Sequence, residues 1–228
     1  MKNFIIAAVA ATALNSVYAE NCASNFSGFY AGIQAGMNSS HSTRTLGTEK
    51  DKARYGDQSI LGGFYTGYGM GIGNCAYVGG EVYVNFHNTS IKYQDDTSDE
   101  NIRGVLTPVE RKHTAQNIFN IGGKVRFGYT LSPQAMIFLG LGIEYSPWKL
   151  KYTRKVGNAS EKTVSGTKNM YAFTPSVGTD VFMTKNFFVR GEYTYVAPSM
   201  VKLKDDNGGM AKHNINQHRF VLGLGYKF

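Results

Sequence analysis

From Ser27 to Phe228 the chain keeps returning to one pattern, with an apolar or aromatic residue at every second position and glycine, amide or charged residues between. A period of two places successive side chains on opposite faces of an extended strand. Each such segment therefore has one apolar and one polar face. Phe29, Ala31, Ile33, Ala35 and Met37 alternate with Gly28, Tyr30, Gly32, Gln34 and Gly36, and the alternation recurs over 58–72, 77–87, 117–129, 136–145, 171–182, 187–196 and 216–228. The sixth segment is the weakest. It contains Pro175, which a strand accepts only at a bulge or where no N–H is needed.

The connections alternate as well. Short links at 73–76, 130–135 and 183–186 take turns with long polar ones at 39–57, 88–114, 146–170 and 197–215. This predicts an all-β fold: an eight-stranded antiparallel transmembrane up-and-down β-barrel with short periplasmic turns and four long external loops. The sheet must close, because an open edge in hydrocarbon leaves unpaired N–H and C=O groups at several kcal/mol each. With 27 glycines, 15 tyrosines, 14 phenylalanines and only 5 prolines, the composition suits many short strands. A soluble β-sandwich shares that composition but has no need of a charged inner face.

Residues 1–19 read as a secretory signal peptide, with Lys2 ahead of the apolar run Phe4–Leu14 and small residues up to Ala19. Cleavage there leaves 20–228 as one barrel domain. No later stretch offers the roughly 18 consecutive apolar residues of a membrane helix. Cys22 precedes the first strand and Cys75 falls in the first short turn, so both are expected at the periplasmic rim. An oxidising compartment favours a Cys22–Cys75 disulfide.

Three stretches, GFYAGIQAG at 28–36, VRGEYTY at 189–195 and RFVLGLGYKF at 219–228, give the chain its likeness to a family. It resembles the small opacity-type and OmpA-like outer-membrane β-barrel proteins. The resemblance spans the whole mature chain and implies residence in the bacterial outer membrane, contact with its lipids and lipopolysaccharide, and display of the loops as an adhesin or surface antigen. It also implies that the closing Tyr226 and Phe228 form the signal read by the outer-membrane assembly machinery.

By parity Glu81, Lys124, Arg126, Glu144, Arg190, Glu192, Arg219 and Lys227 face the lumen. Buried charges need partners. Two roles fit them: a structural polar core, or a narrow ion path that opens when the pairs rearrange, as in a low-conductance porin. Outside, the third loop carries six cations against one carboxylate and interleaves Trp148, Lys149, Lys151, Tyr152, Arg154 and Lys155. Such a surface attracts lipopolysaccharide, host glycans or another anionic ligand, although a solvated loop reads the same way. The stretches 88–93 and 148–155 can each also form part of a strand without adding a membrane crossing.

Nucleic acid is not an expected partner, despite the net charge of +8, because the cations divide between lumen and loops and no recognition motif is present. His218 faces outward without a serine beside it, and His41, His87, His113 and His213 lie in or near loops without metal-site spacing. The sequence predicts no enzyme, no catalytic residue, no metal and no cofactor.

Overall fold

The computed structural model describes residues 25–46, 51–73, 75–102, 105–156, 162–204 and 210–228. The expected signal peptide and Cys22 lie outside the described residues. Those described form eight strands: β1 Gly28–Leu46, β2 Asp51–Ile72, β3 Ala76–Ile102, β4 Val105–Ser132, β5 Ala135–Val156, β6 Lys162–Phe182, β7 Phe187–Lys204 and β8 Met210–Lys227. Each pairs antiparallel with its sequence neighbours, and β8 returns to β1 to close the barrel.

At one end, here the inner end, the strands are joined by the short links. Gly73 takes a positive φ of 62° in the β2–β3 turn, a conformation that costs glycine little. Cys75 lies in the same turn, where its carbonyl accepts from the Thr130 N–H at 2.9 Å.

At the other end the strands continue through 88–93 and 148–155, as the sequence allows, and run further than it marks. Most of what reads as long loop is strand. The β1–β2 ladder runs to Leu46–Asp51, β3–β4 to Ile102–Val105, β5–β6 to Arg154–Lys162 and β7–β8 to Lys204–Met210. Beyond the apolar belt the outer face of each hairpin meets water, and the buried inward positions mix polar Thr89 and Asn117 with apolar Ile91, Ala115 and Trp148, so no apolar stripe marks the strand, yet backbone pairing continues wherever β-formers such as Thr, Tyr and Val recur. Along β4 a bulge at Ile118 and Phe119 lets Asn117 and Asn120 both turn inward.

Outward positions form an exposed apolar belt that includes Phe29, Phe64, Val125, Leu139, Phe173 and Leu222. Its outer margin passes through Met37, Ile60, Phe86, Ile118, Tyr145, Tyr171 and Phe220. Inside, aromatic rings lie across inward glycines of adjacent strands. A Cβ at Gly69, Gly122, Gly178 or Gly225 would meet the ring of Tyr77, Tyr83, Phe138 or Phe188 respectively. Glycine and aromatics are thus two halves of one packing device, which accounts for their joint abundance. At the inner mouth Phe26 is buried against Phe182, with ring centroids 5.0 Å apart.

Candidate functional site

The barrel interior is layered, and charge occupies its middle. Glu81 on β3 stands opposite Lys124 on β4 in register, with Nζ 3.0 Å from Oε1. Its other oxygen, Oε2, accepts from Arg190 Nη1 at 2.6 Å and from the Tyr30 hydroxyl at 2.9 Å. Asp180 on β6 faces Arg190 on β7 and accepts from Arg190 Nε at 2.8 Å and from Arg126 Nη2 at 2.6 Å. Lys124 also donates to both oxygens of Glu192, at 2.5 and 2.7 Å. Nearer the outer end Arg219 Nη1 donates to Glu144 Oε2 at 2.7 Å.

The sequence-based lumen set needs two changes. Asp180 belongs to it, and among the described residues Lys227 stands apart from the ion pairs: its Nζ donates to the Asn25 carbonyl at 2.8 Å at the inner rim. Among the described residues the network then holds four carboxylates, Glu81, Glu144, Asp180 and Glu192, against four cations, Lys124, Arg126, Arg190 and Arg219. Its formal charge cancels. Two guanidiniums also lie on rings, Arg126 3.8 Å from the Phe138 centroid and Arg190 4.2 Å from that of Tyr65, contacts that favour a desolvated cation.

Above the charges lies a layer of amides and hydroxyls. Gln34 donates to Asn85 at 2.6 Å, Asn85 to Asn120 at 3.1 Å, and Asn120 Nδ2 lies 3.0 Å from His87 Nε2. An amide N–H must donate there, which assigns the imidazole proton to Nδ1, 2.8 Å from Thr89 Oγ1. His87, which ends the third alternating segment of the sequence, is an inward, buried histidine well inside β3 and not beside a loop. A polar cavity bordered by Gln34, Lys124, Glu192 and Arg219 offers about 10 Å³, about the room of one water.

Trp148 gives a third correction. It points into the outer end of the barrel at 2% exposure, beside buried Met170 and Val196, and is not displayed with the lysines. The outer wall carries the cations instead. Lys149 and Lys151 are exposed and Lys155 partly so, and the register sets Lys149 beside Gln116 and Thr167, Lys151 beside Thr114 and Ser165, and Thr153 beside Lys112 and Thr163. Lys92 lies beside Thr114 in turn. The side chains of Tyr152 and Arg154 lie outside those described.

This arrangement has relatives. The chain matches the outer membrane protein beta-barrel domain over residues 4–228. It belongs to that family. It is 24% identical over 214 residues to the 31 kDa outer-membrane immunogenic proteins of Brucella melitensis biotype 1 and Brucella suis biovar 1, covering 90% of this chain and 84% of theirs. Among solved structures it is similar to Ail, the attachment invasion locus protein of Yersinia pestis, at 15% identity and a TM-score of 0.36 over 88% of this chain and 99% of that one. It is also similar to OprG from Pseudomonas aeruginosa, at 13% identity and a TM-score of 0.45 over 89% and 96%.

As an outer membrane beta-barrel protein the molecule resides in the bacterial outer membrane. The inner end with its short turns is then periplasmic, and the long hairpins are external. His218 faces outward near the external margin of the belt, where Nδ1 lies 2.7 Å from the Tyr193 hydroxyl and its ring sits 6.0 Å from that of His41 and 5.3 Å from that of Tyr195. Rings with a polar edge suit that interface. Tyr226 and Phe228 stack edge to face at 5.2 Å at the periplasmic end, and the Phe228 N–H donates to the Phe29 carbonyl at 2.9 Å.

Proposed function

We propose that this outer-membrane barrel acts through its external hairpins, as a surface antigen and adhesin for anionic ligands, and that its lumen is a structural core contributing to envelope integrity. The observation that carries the reading is the outer face of β3–β6. There Lys92, Lys112, Lys149 and Lys151 alternate with Thr114, Thr153, Thr163 and Ser165 in register. Cations interleaved with hydroxyls suit phosphates, sulfates and sugars, whether on lipopolysaccharide or on a host glycan. The name shared by the Brucella relatives, an immunogenic outer-membrane protein, is in keeping with exposure of such hairpins to a host. In the same reading Tyr226 and Phe228 serve the assembly machinery, and a Cys22–Cys75 bridge pins the N-terminal segment to the periplasmic rim.

The test is binding of vesicle-embedded protein to an immobilised anionic polysaccharide across a salt series. Changing Lys149, Lys151 and Lys155 together to glutamine is expected to weaken binding roughly 10- to 100-fold, at about 0.5–1 kcal/mol per cation near an anionic surface, and to flatten its salt dependence. Unchanged affinity would remove this face from the function.

For the lumen we expect silence. Balanced ion pairs and rings fill it, so the protein reconstituted in a planar bilayer should give no steady conductance. A conductance that changes in the Glu81→Gln variant would instead promote a small-solute channel with these charges as its selectivity elements.

A further inference from the structure

Two of the eight strand contacts part before reaching an external hairpin. The β2–β3 ladder ends at Leu61–His87, level with Ile60 and Phe86 at the margin of the belt. The β6–β7 ladder ends deeper. Its last pair is Ser176–Thr194, although the lipid-facing positions of β6 continue through Phe173 and Tyr171, both exposed. Beyond that pair β6 stays bonded to β5 and β7 to β8, but not to each other. Pro175, the next residue on β6, brings no N–H that could extend the ladder. The barrel wall therefore has a seam within the outer half of its apolar belt.

Behind the seam is a small space of about 10 Å³ whose lining includes Trp148, Met170, Ala172, Val196, Ala197 and Gln217. Trp148, Met170 and Val196 are buried and form the apolar part of a lining that Ser146 and Gln217 complete. The two alanines, one on each parted strand, are the smallest side chains at the mouth. As it stands the space has about the room of one water, and Met170, unbranched and adaptable, is the side chain that would move to admit anything longer.

We propose that the β6–β7 seam is a lateral lipid site, in which an acyl chain from the outer leaflet enters between Ala172 and Ala197 and lies against Trp148, Met170 and Val196. The occupant follows from position: Ala172 stands between Tyr171 and Phe173, both exposed on the lipid-facing belt, and Trp148, Met170 and Val196 are the buried apolar side chains around the same space. The parted edges add a second feature. Backbone N–H groups without ladder partners are costly at this depth, and the ester or amide carbonyls at the head of an acyl chain are acceptors at the right level. Gln217 provides another amide beside the same space.

Trp148 makes the test direct, because it is the only tryptophan in the chain and lies on the lumen side of the wall. The full protein is reconstituted in phosphatidylcholine vesicles whose chains carry bromine either close to the headgroup or close to the methyl end. Bromine near the headgroup is expected to quench Trp148 emission by about half or more, and bromine at the chain end much less. Ala172→Leu with Ala197→Leu fills the mouth and should cut the quenching at least threefold; the single Ala197→Leu variant repeats the comparison with a smaller perturbation. Emission that is the same in brominated and plain vesicles overturns the proposal. So does quenching of equal size in wild type and in a folded filled variant, since that reports bromine acting across a closed wall.

Discussion

Arg190→Met is expected to lower the stability of the folded barrel by about 3–5 kcal/mol, the usual cost of leaving a buried carboxylate without its cation. Arg190 is wholly buried and bonds both Glu81 and Asp180. The intact network gains little over an apolar core of the same shape, because desolvation offsets most of the attraction. Removing one member is different. Arg126 and Lys124 still reach the two carboxylates, but four carboxylates then face three cations in a closed interior. The measurement is urea unfolding in detergent micelles followed by far-ultraviolet circular dichroism. Arg190→Met combined with Asp180→Asn restores the balance and should recover more than half of the loss. A single variant as stable as wild type would mean that water reaches the network freely, contrary to a packed lumen.

Gly36→Val should prevent closure of the barrel altogether. Gly36 pairs with Val221 across the β1–β8 contact, where a Cβ would lie 2.0 Å from the Phe220 carbonyl oxygen and 2.8 Å from the Val221 Cα. Both obstacles are backbone, so no rotamer change relieves them and the two strands must separate. Overpacking costs about 1–3 kcal/mol and occasionally more, and backbone obstacles on both counts place this one at the upper end, concentrated on the single contact that joins the two ends of the sheet. Gly80→Ala is the matched control, since a Cβ there meets nothing within 4 Å, and it should change stability by less than about 0.5 kcal/mol. The comparison is read as the fraction of protein that migrates as a compact band in an unheated denaturing gel. Equal compact fractions for the two variants would show that β1 and β8 do not approach as closely as described.

The period of two made most of the barrel legible. It assigns Phe29 and Leu139 outward and Arg126, Arg190 and Glu144 inward, and it gives the strand number and the closure. Three inward residues went unassigned although the same parity reaches them. Asp180 follows Thr174 and Ser176 on β6, but Pro175 and the weak apolar face obscure that strand. His87 continues Tyr83 and Asn85, and Trp148 continues Glu144. Both fall where the apolar face stops, and a polar stretch with no apolar face reads as loop. Partners were not legible at all. Arg190 meets Glu81 across 109 positions of sequence, and which charge sits level with which depends on the stagger of all eight strands. The β6–β7 seam is hidden for the same reason.

The continuation of the ladders past the membrane changes what binding would cost. A free loop must order its backbone on capture, at roughly 1–2 kcal/mol per residue. Here that ordering is complete once the barrel has folded. Lys149 and Lys151 are alternate residues of one strand, so their side chains emerge roughly 6.8 Å apart on a frame braced from both sides by β4 and β6. Such a frame acts as a ruler: it rewards a ligand whose negative groups repeat at a matching interval, and a polymer of equal charge but different spacing loses part of its grip.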